Sequence, residues 1–249
     1  MPRFDNNDPT METHQVGTSN FQFSAKRIDE LGASEYTLAL LVIDCSPSIT
    51  DFADDMEKVV KEVARACRRS PRADNLMLRV ITFNSSVDEY HGFKPLSECN
   101  EDDYDGCIQP AGLTALYDAV YNGVQSMTQY SRDLAENDFD VNAILVCVTD
   151  GMDNKSKLTR GMVKDAMREA VKTESMESIV SVLVGVNTLA DQLGNYLKEF
   201  TDEAGFTQYV EIADATEKQL AKLGGFISQS ISSQSQALGT GGPSKSLAF

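Results

Sequence analysis

Two hydrophobic periods alternate along the interior of the chain. Residues 36–43 form a short, nearly continuous apolar run, the pattern of a strand buried on both faces, and Leu76–Phe83, 141–149, 179–186 and Gln208–Ile212 resemble it. The longer stretches between them carry helical spacing. Phe52, Met56, Val59, Val60, Val63 and Cys67 mark one helix face, and the acidic first turn and the closing Arg65, Arg68 and Arg69 suit its dipole. Leu116, Val120, Val124 and Met127 mark a second helix, Met162, Val163, Ala166, Met167 and Ala170 a third, and Leu189, Leu193, Tyr196, Leu197 and Phe200 a fourth, closed by Gly205. A last helix starts at Thr216, with Gln219 completing a capping box, and continues through Leu220, Leu223, Phe226, Ile227 and Ile231.

Asn84, Ser85 and Ser86 break the alternation. These turn formers join the strand ending at Phe83 to a segment over 87–93, which predicts a hairpin and one antiparallel edge strand. Strands separated by helices of this length require right-handed crossovers. The expected fold is therefore α/β: a doubly wound, Rossmann-like three-layer sandwich whose sheet is mostly parallel. The domain is expected to span residues 31–232. Residues 1–30 read as a flexible N-terminal arm and the Ser-, Gln- and Gly-rich residues 233–249 as a flexible tail.

Charge narrows the partners. Of the 249 residues, 38 are acidic and 22 basic, a net charge of −16 that repels phosphate backbones and anionic membrane surfaces. The expected partner is neither nucleic acid nor membrane, and no apolar run approaches the roughly twenty residues that cross a bilayer. The start of the chain has no basic and apolar regions of a secretory signal, so a cytoplasmic location is expected, with the five cysteines as reduced thiols.

In a doubly wound sheet, ligands bind beyond the carboxyl ends of the strands. Three segments place oxygen atoms there. The first strand runs into Asp44-Cys45-Ser46-Pro47-Ser48, a carboxylate followed by hydroxyls at alternate positions. Asp150 ends the strand over 141–149, and Gly151 lets the chain turn away. Thr114 stands at the entry to the second helix, where its hydroxyl either caps the helix or reaches a ligand. Two carboxylates and three hydroxyls, with no convergent His or thiolate, favour Mg²⁺ or Mn²⁺ over zinc. Asp153 and Asn154 follow Asp150 closely enough to hydrogen-bond a cation's waters, but a solvated loop is at least as good a reading and they are left outside the site. The acidic run around residues 98–105 fails as a calcium loop because its twelfth position is Gly112, where a bidentate Glu is required.

Asp44-x-Ser46-x-Ser48, then Thr114 followed by Ala-Leu-Tyr-Asp-Ala, then Asp150-Gly151, resembles the metal-ion-dependent adhesion site (MIDAS) of the von Willebrand factor type A (VWA) family, over residues 36–232. The resemblance implies that Ser46 and Ser48 bind the cation directly, Thr114 directly or through water, and Asp44 and Asp150 largely through water. It also implies a coordination position left for a carboxylate from a partner protein, and a binding module without enzymatic activity. Small prokaryotic cytoplasmic members suggest an adaptor in a bacterial stress or defence system. The competing expectation is a Mg²⁺-dependent phosphohydrolase or phosphotransferase, which also places an Asp at the first strand end. Its nucleophile motif normally needs a second Asp two residues on, where this chain has Ser46.

Overall fold

The structure is a computed structural model that describes residues 8–16, 21–189 and 192–249. In chain order the strands are β1 (Met11–Gln15), β2 (Gln22–Lys26), β3 (Glu35–Asp44), β4 (Leu76–Phe83), β5 (Val87–Pro95), β6 (Asp140–Thr149), β7 (Ser178–Val186) and β8 (Gln208–Ile212). The helices are α1 (Ala53–Arg68), α2 (Leu116–Ala135), α3 (Arg160–Lys172), α4 (Leu193–Ala204) and α5 (Glu217–Thr240). They form one sheet in the order β1-β2-β5-β4-β3-β6-β7-β8. From β4 to β8 every neighbouring pair is parallel, and β5 runs antiparallel to β4 across the Asn84–Ser86 turn.

The unbroken apolar runs have a direct cause. Alternate side chains of a strand point to opposite faces, and in β3 Ala39, Leu41 and Ile43 join the core beneath α1 and α5, whereas Leu38, Leu40 and Val42 join the core beneath α2, α3 and α4. Every β3 residue after Glu35 is buried. This is the doubly wound three-layer α/β fold that the alternating periods predict.

Both chain ends depart from the expectation of flexible extensions. Residues 1–7 and 17–20 of the expected arm lie outside the described residues, but β1 and β2 belong to the sheet: β2 pairs with β5 through Ala25 and Phe93, and β1 pairs with β2. Phe23 is buried and packs edge-on to Phe93, and Ala25 is buried beside it. At the other end α5 continues to Thr240 and stops at Gly241, in the left-handed conformation with φ 62°. Polar residues that read as a tail bond to the body of the protein. Asn142 donates to the Gln234 carbonyl at 2.8 Å, and Arg72 Nε donates to Ser235 Oγ at 2.9 Å. Beyond the helix Phe249 packs edge-on to Phe226, and the Lys222 ammonium lies 4.1 Å from the Phe249 ring centre.

A buried polar cluster ties the β1–β2 hairpin to the sheet. Arg79 of β4 donates through Nε to Glu89 Oε2 of β5 at 2.7 Å, and Glu89 Oε1 accepts from the Ser24 amide at 2.9 Å and the Ser24 hydroxyl at 2.6 Å. Arg79 also donates to Ser126 Oγ at 2.7 Å and Asn122 Oδ1 at 3.3 Å on α2, with its guanidinium 5.5 Å and 5.8 Å from the Phe23 and Phe93 ring centres. Gly92 makes the approach of β2 to β5 feasible: a Cβ there would stand 2.0 Å from the Ser24 carbonyl oxygen. Gly92→Ala is expected to cost at least about 3 kcal/mol, the upper end of ordinary overpacking, because the obstacle is backbone. Urea unfolding measures it, and a loss under about 1 kcal/mol would show that β2 yields without cost.

His91 of β5 is buried, its Nδ1–H donating to the Gly92 carbonyl at 2.8 Å and its Nε2 accepting from the Tyr104 hydroxyl at 2.9 Å. Burial pushes it down to about 3 from its usual 6.5. Above pH 6.5 the ring is neutral whether folded or unfolded. Below it only the unfolded chain takes up the proton, so stability falls by about 1.4 kcal/mol per pH unit down to about pH 3. Between pH 6.5, where the unfolded ring is already half protonated, and pH 4.5, the wild type is expected to lose about 2.3 kcal/mol more stability than His91→Gln. Equal losses would remove the buried ring from the explanation.

Candidate metal centre

All of the sequence-predicted site residues lie at the carboxyl-terminal end of the central strands. Asp44 closes β3, and its carboxylate turns back over the following loop: Oδ1 accepts from the Ser46 amide at 2.7 Å and Oδ2 from the Thr149 hydroxyl at 2.5 Å. The Ser46 and Ser48 hydroxyls are 3.0 Å apart, and Ser48 Oγ donates to Asp150 Oδ1 at 2.7 Å. Pro47, with its fixed φ, opens a short 3₁₀ helix over Pro47–Phe52 that leads into α1. Thr114 joins the cluster from the other side. At Gly151 a Cβ would lie 3.2 Å from Thr114 Oγ1 and 3.6 Å from Asp44 Oδ2, so the bare glycine keeps the space between these oxygens clear.

Thr114 is not a helix cap. The residue before α2 is Ala115, whose side chain caps nothing, and the first amides of the helix are met from the loop after β6. The Tyr117 amide donates to Asp153 Oδ2 at 3.2 Å and the Asp118 amide to Ser156 Oγ at 3.0 Å. Asn154 clasps the Thr114 backbone, its Oδ1 accepting from the Thr114 amide at 2.8 Å and its own amide donating to the Thr114 carbonyl at 3.0 Å. The Thr114 hydroxyl is thereby left for the site. Asp153 and Asn154 are therefore structural members of the centre that sequence reasoning placed in a solvated loop; their nearness to Asp150 was the available signal. Thr149 was missed as well, because it reads as the last residue of a buried strand.

The Asp153 loop is fixed in turn from α4. The Asp153 amide donates to the Tyr196 hydroxyl at 3.1 Å, Tyr196 and Tyr117 share a hydrogen bond of 2.5 Å, and Arg160 lies 4.5 Å from the Tyr196 ring centre while donating to the Tyr117 hydroxyl at 2.8 Å.

The electrostatics of the cluster are those of negative charge without a counter-charge. Burial pushes the Asp44 carboxyl up to about 6, against hydrogen bonds from Thr149 and Ser46 that favour its ionised form, and nearby Asp150 raises it further. Asp150 is raised too, by burial, against its bond from Ser48. Among the described residues, no basic side chain is among the main causes of either shift. Hydroxyl and carboxylate oxygens gathered at an uncompensated negative centre fit a hard divalent cation. Among the described residues no three His, Cys, Asp or Glu side chains group as metal ligands, so a cation here would depend on the hydroxyls. All five cysteines are free and buried, and burial pushes the Cys45 thiol up to about 12. The acidic loop is occupied elsewhere: Glu98 pairs with Lys26, Asp105 with Lys61, and Asp103 caps its own turn.

The chain matches no family profile and no curated protein. It is similar to solved structures. The PilB minor pilin from Streptococcus sanguinis, as its D319A mutant, aligns over 88% of this chain and 66% of its own at 15% identity, with a TM-score of 0.61. The pilus adhesin SpaC from Lactobacillus rhamnosus GG aligns over 91% of this chain and 35% of its own at 12% identity, with a TM-score of 0.54. Proximal thread matrix protein 1 from the mussel byssus, solved with a zinc-occupied MIDAS motif, aligns over 81% of this chain and 46% of its own at 20% identity, with a TM-score of 0.50. The chain thus spans from about a third to about two-thirds of these proteins, and the likeness is one of fold. The fold is VWA-like.

Proposed function

We infer that the chain is a Mg²⁺-dependent protein-interaction module, in which Asp44, Ser46, Ser48, Thr114 and Asp150 hold the cation and a partner protein supplies a carboxylate to it. The observation that carries this reading is the gathering of the buried Asp44 carboxylate, the half-buried Asp150 carboxylate and three hydroxyls, with no basic side chain of the described residues among the causes of either carboxyl's shift. When bound, the cation supplies a positive centre open to an acidic ligand. Ser46, Ser48 and Thr114 offer neutral oxygens that quench little of that charge. Asp44 and Asp150 supply the negative field that attracts the cation, and Thr149 and the Ser46 amide hold Asp44 in place.

The reading is of a binding protein rather than an enzyme. The similar structures include a pilus adhesin and a protein with an occupied MIDAS motif. The free, buried cysteines suit a cytoplasmic setting, and the sequence resemblance suggests an adaptor in a bacterial stress or defence system. No helix of the described residues is long and apolar enough to cross a membrane.

Titration calorimetry with Mg²⁺, Mn²⁺ and Zn²⁺ tests the site. Wild-type protein is expected to take up one Mg²⁺ or Mn²⁺, and the Ser46→Ala/Ser48→Ala variant to lose that uptake at least tenfold. Equal uptake by both would sink the assignment. A phosphate-ester turnover assay addresses the rival enzyme: Mg²⁺-dependent hydrolysis abolished in Asp44→Asn would replace the binding reading with a phosphohydrolase.

A further inference from the structure

The surface around the centre is polarised in a way that the cation alone does not require. Leu113 is 45% exposed and Met152 36% exposed, and each adjoins a residue of the centre: Leu113 precedes Thr114, and Met152 follows Gly151, whose bare Cα faces the Thr114 hydroxyl. The Leu113 backbone is held. The Leu113 amide donates to Ser85 Oγ at 2.9 Å, and Gly112 before it has φ +75° with Ser85 Oγ 2.6 Å from where a Cβ would sit. Two large apolar side chains thus stand in water, Leu113 on a fixed backbone, on two chain segments that meet at one hydroxyl.

Charge divides the same rim. Lys155 and Lys157 are exposed, and neither ammonium belongs to an ion pair of the described residues, although the chain carries a net charge of −16. Their loop is held to Thr114 through Asn154, and the Lys157 amide donates to Asp118 Oδ1 at 3.1 Å. On the Ser48 side the exposed charges are Asp51 and Asp54. The rim therefore runs from acidic beside Ser48, through apolar at Leu113 and Met152, to basic at Lys155 and Lys157.

We propose that this rim selects the sequence around the incoming carboxylate: the partner presents an acidic residue with a large apolar neighbour and a second acidic residue, the apolar side chain covering Leu113 and Met152 and the second carboxylate meeting Lys155 and Lys157. The proposal rests on the cation-dependent reading of the centre. Covering an apolar pair strengthens binding by the area removed from water. An exposed ion pair adds less, mainly in rate and orientation, and is screened by salt.

The probe is a fluorescein-labelled peptide, Gly-Phe-Glu-Gly-Glu-Gly, compared with versions in which Phe is replaced by Gly or the second Glu by Gln. Fluorescence polarisation is read in Mg²⁺ and in chelator. In Mg²⁺ the parent peptide is expected to bind about tenfold tighter than the Gly version. Leu113→Ser and Met152→Gln erase that preference without weakening the Gly version. Lys155→Gln/Lys157→Gln erases a smaller, two- to threefold preference for the second Glu, which also fades at high salt. Val171→Ser, at a still more exposed apolar residue on α3, serves as the control and changes neither. Equal binding of all three peptides, or no binding by any while calorimetry registers Mg²⁺ uptake, overturns the rim proposal and leaves the cation site standing. Absence of Mg²⁺ uptake overturns the site reading and the rim proposal with it.

Discussion

Glu89→Gln lowers the stability of the folded chain by about 3–5 kcal/mol, the cost of stranding one member of a buried ion pair. Arg79 is 1% exposed at its side chain and Glu89 4%, so water cannot take the place of the lost charge. A glutamine offers one oxygen where the carboxylate offered two. Either the Ser24 amide and hydroxyl or the Arg79 Nε–H then faces an NH₂ group, donor against donor. The double variant Arg79→Met/Glu89→Gln removes the stranded charge and lets the amide oxygen accept from Ser24, so it is expected to recover more than half of the loss. Urea unfolding of the four proteins in the cycle measures this, with hydrogen exchange locating the first damage in β1 and β2. Single losses that merely add in the double variant would refute the ion-pair account.

Asp44→Asn is expected to move stability and cation response in opposite directions. A buried carboxyl raised from 3.8 to about 6 favours folding only while protonated: its contribution is complete below pH 3.8 and is lost as pH rises through 6. At pH 7 the metal-free protein therefore carries a penalty of about 3 kcal/mol, which the amide abolishes. Asparagine also fits the bonds. Its oxygen accepts from the Ser46 amide, and its NH₂ donates to Thr149 Oγ1, which turns its own proton to the Gly151 carbonyl 3.3 Å away. In chelator the variant should thus unfold at higher urea than wild type. With Mg²⁺ at a hundred times its dissociation constant, wild type gains about 2.7 kcal/mol and the variant almost none. A variant less stable than wild type in chelator would show that Asp44 acts as a hydrogen-bonded strut and not as an unpaid charge.

The sheet and helices were legible because burial on two faces leaves unbroken apolar runs in β3, β4, β6 and β7, and one-sided burial leaves helical spacing. The hairpin was legible in Asn84–Ser86. What escaped was short or polar. β1 and β2 have five residues each, and their place in the sheet depends on contacts reaching more than sixty positions along the chain, such as Ser24 with Glu89. The last turns of α5 carry Ser and Gln whose acceptability depends on Arg72 and Asn142 across the interface. The five oxygen-bearing residues were legible from their places at strand and helix ends. The roles of Asn154 and Asp153 were only hinted at by their nearness to Asp150, because which backbone amides a loop side chain meets almost forty residues earlier is set by the tertiary fold.

The bond from the Asp153 amide to the Tyr196 hydroxyl gives that loop a second owner. The same few residues anchor Thr114, begin α2 and rest on α4, so the loop has no independent setting. Mutations near Tyr117, Arg160 and Tyr196 should therefore be classed with those in the oxygen cluster when variants of this chain are sorted by effect, even though none of those three side chains belongs to that cluster.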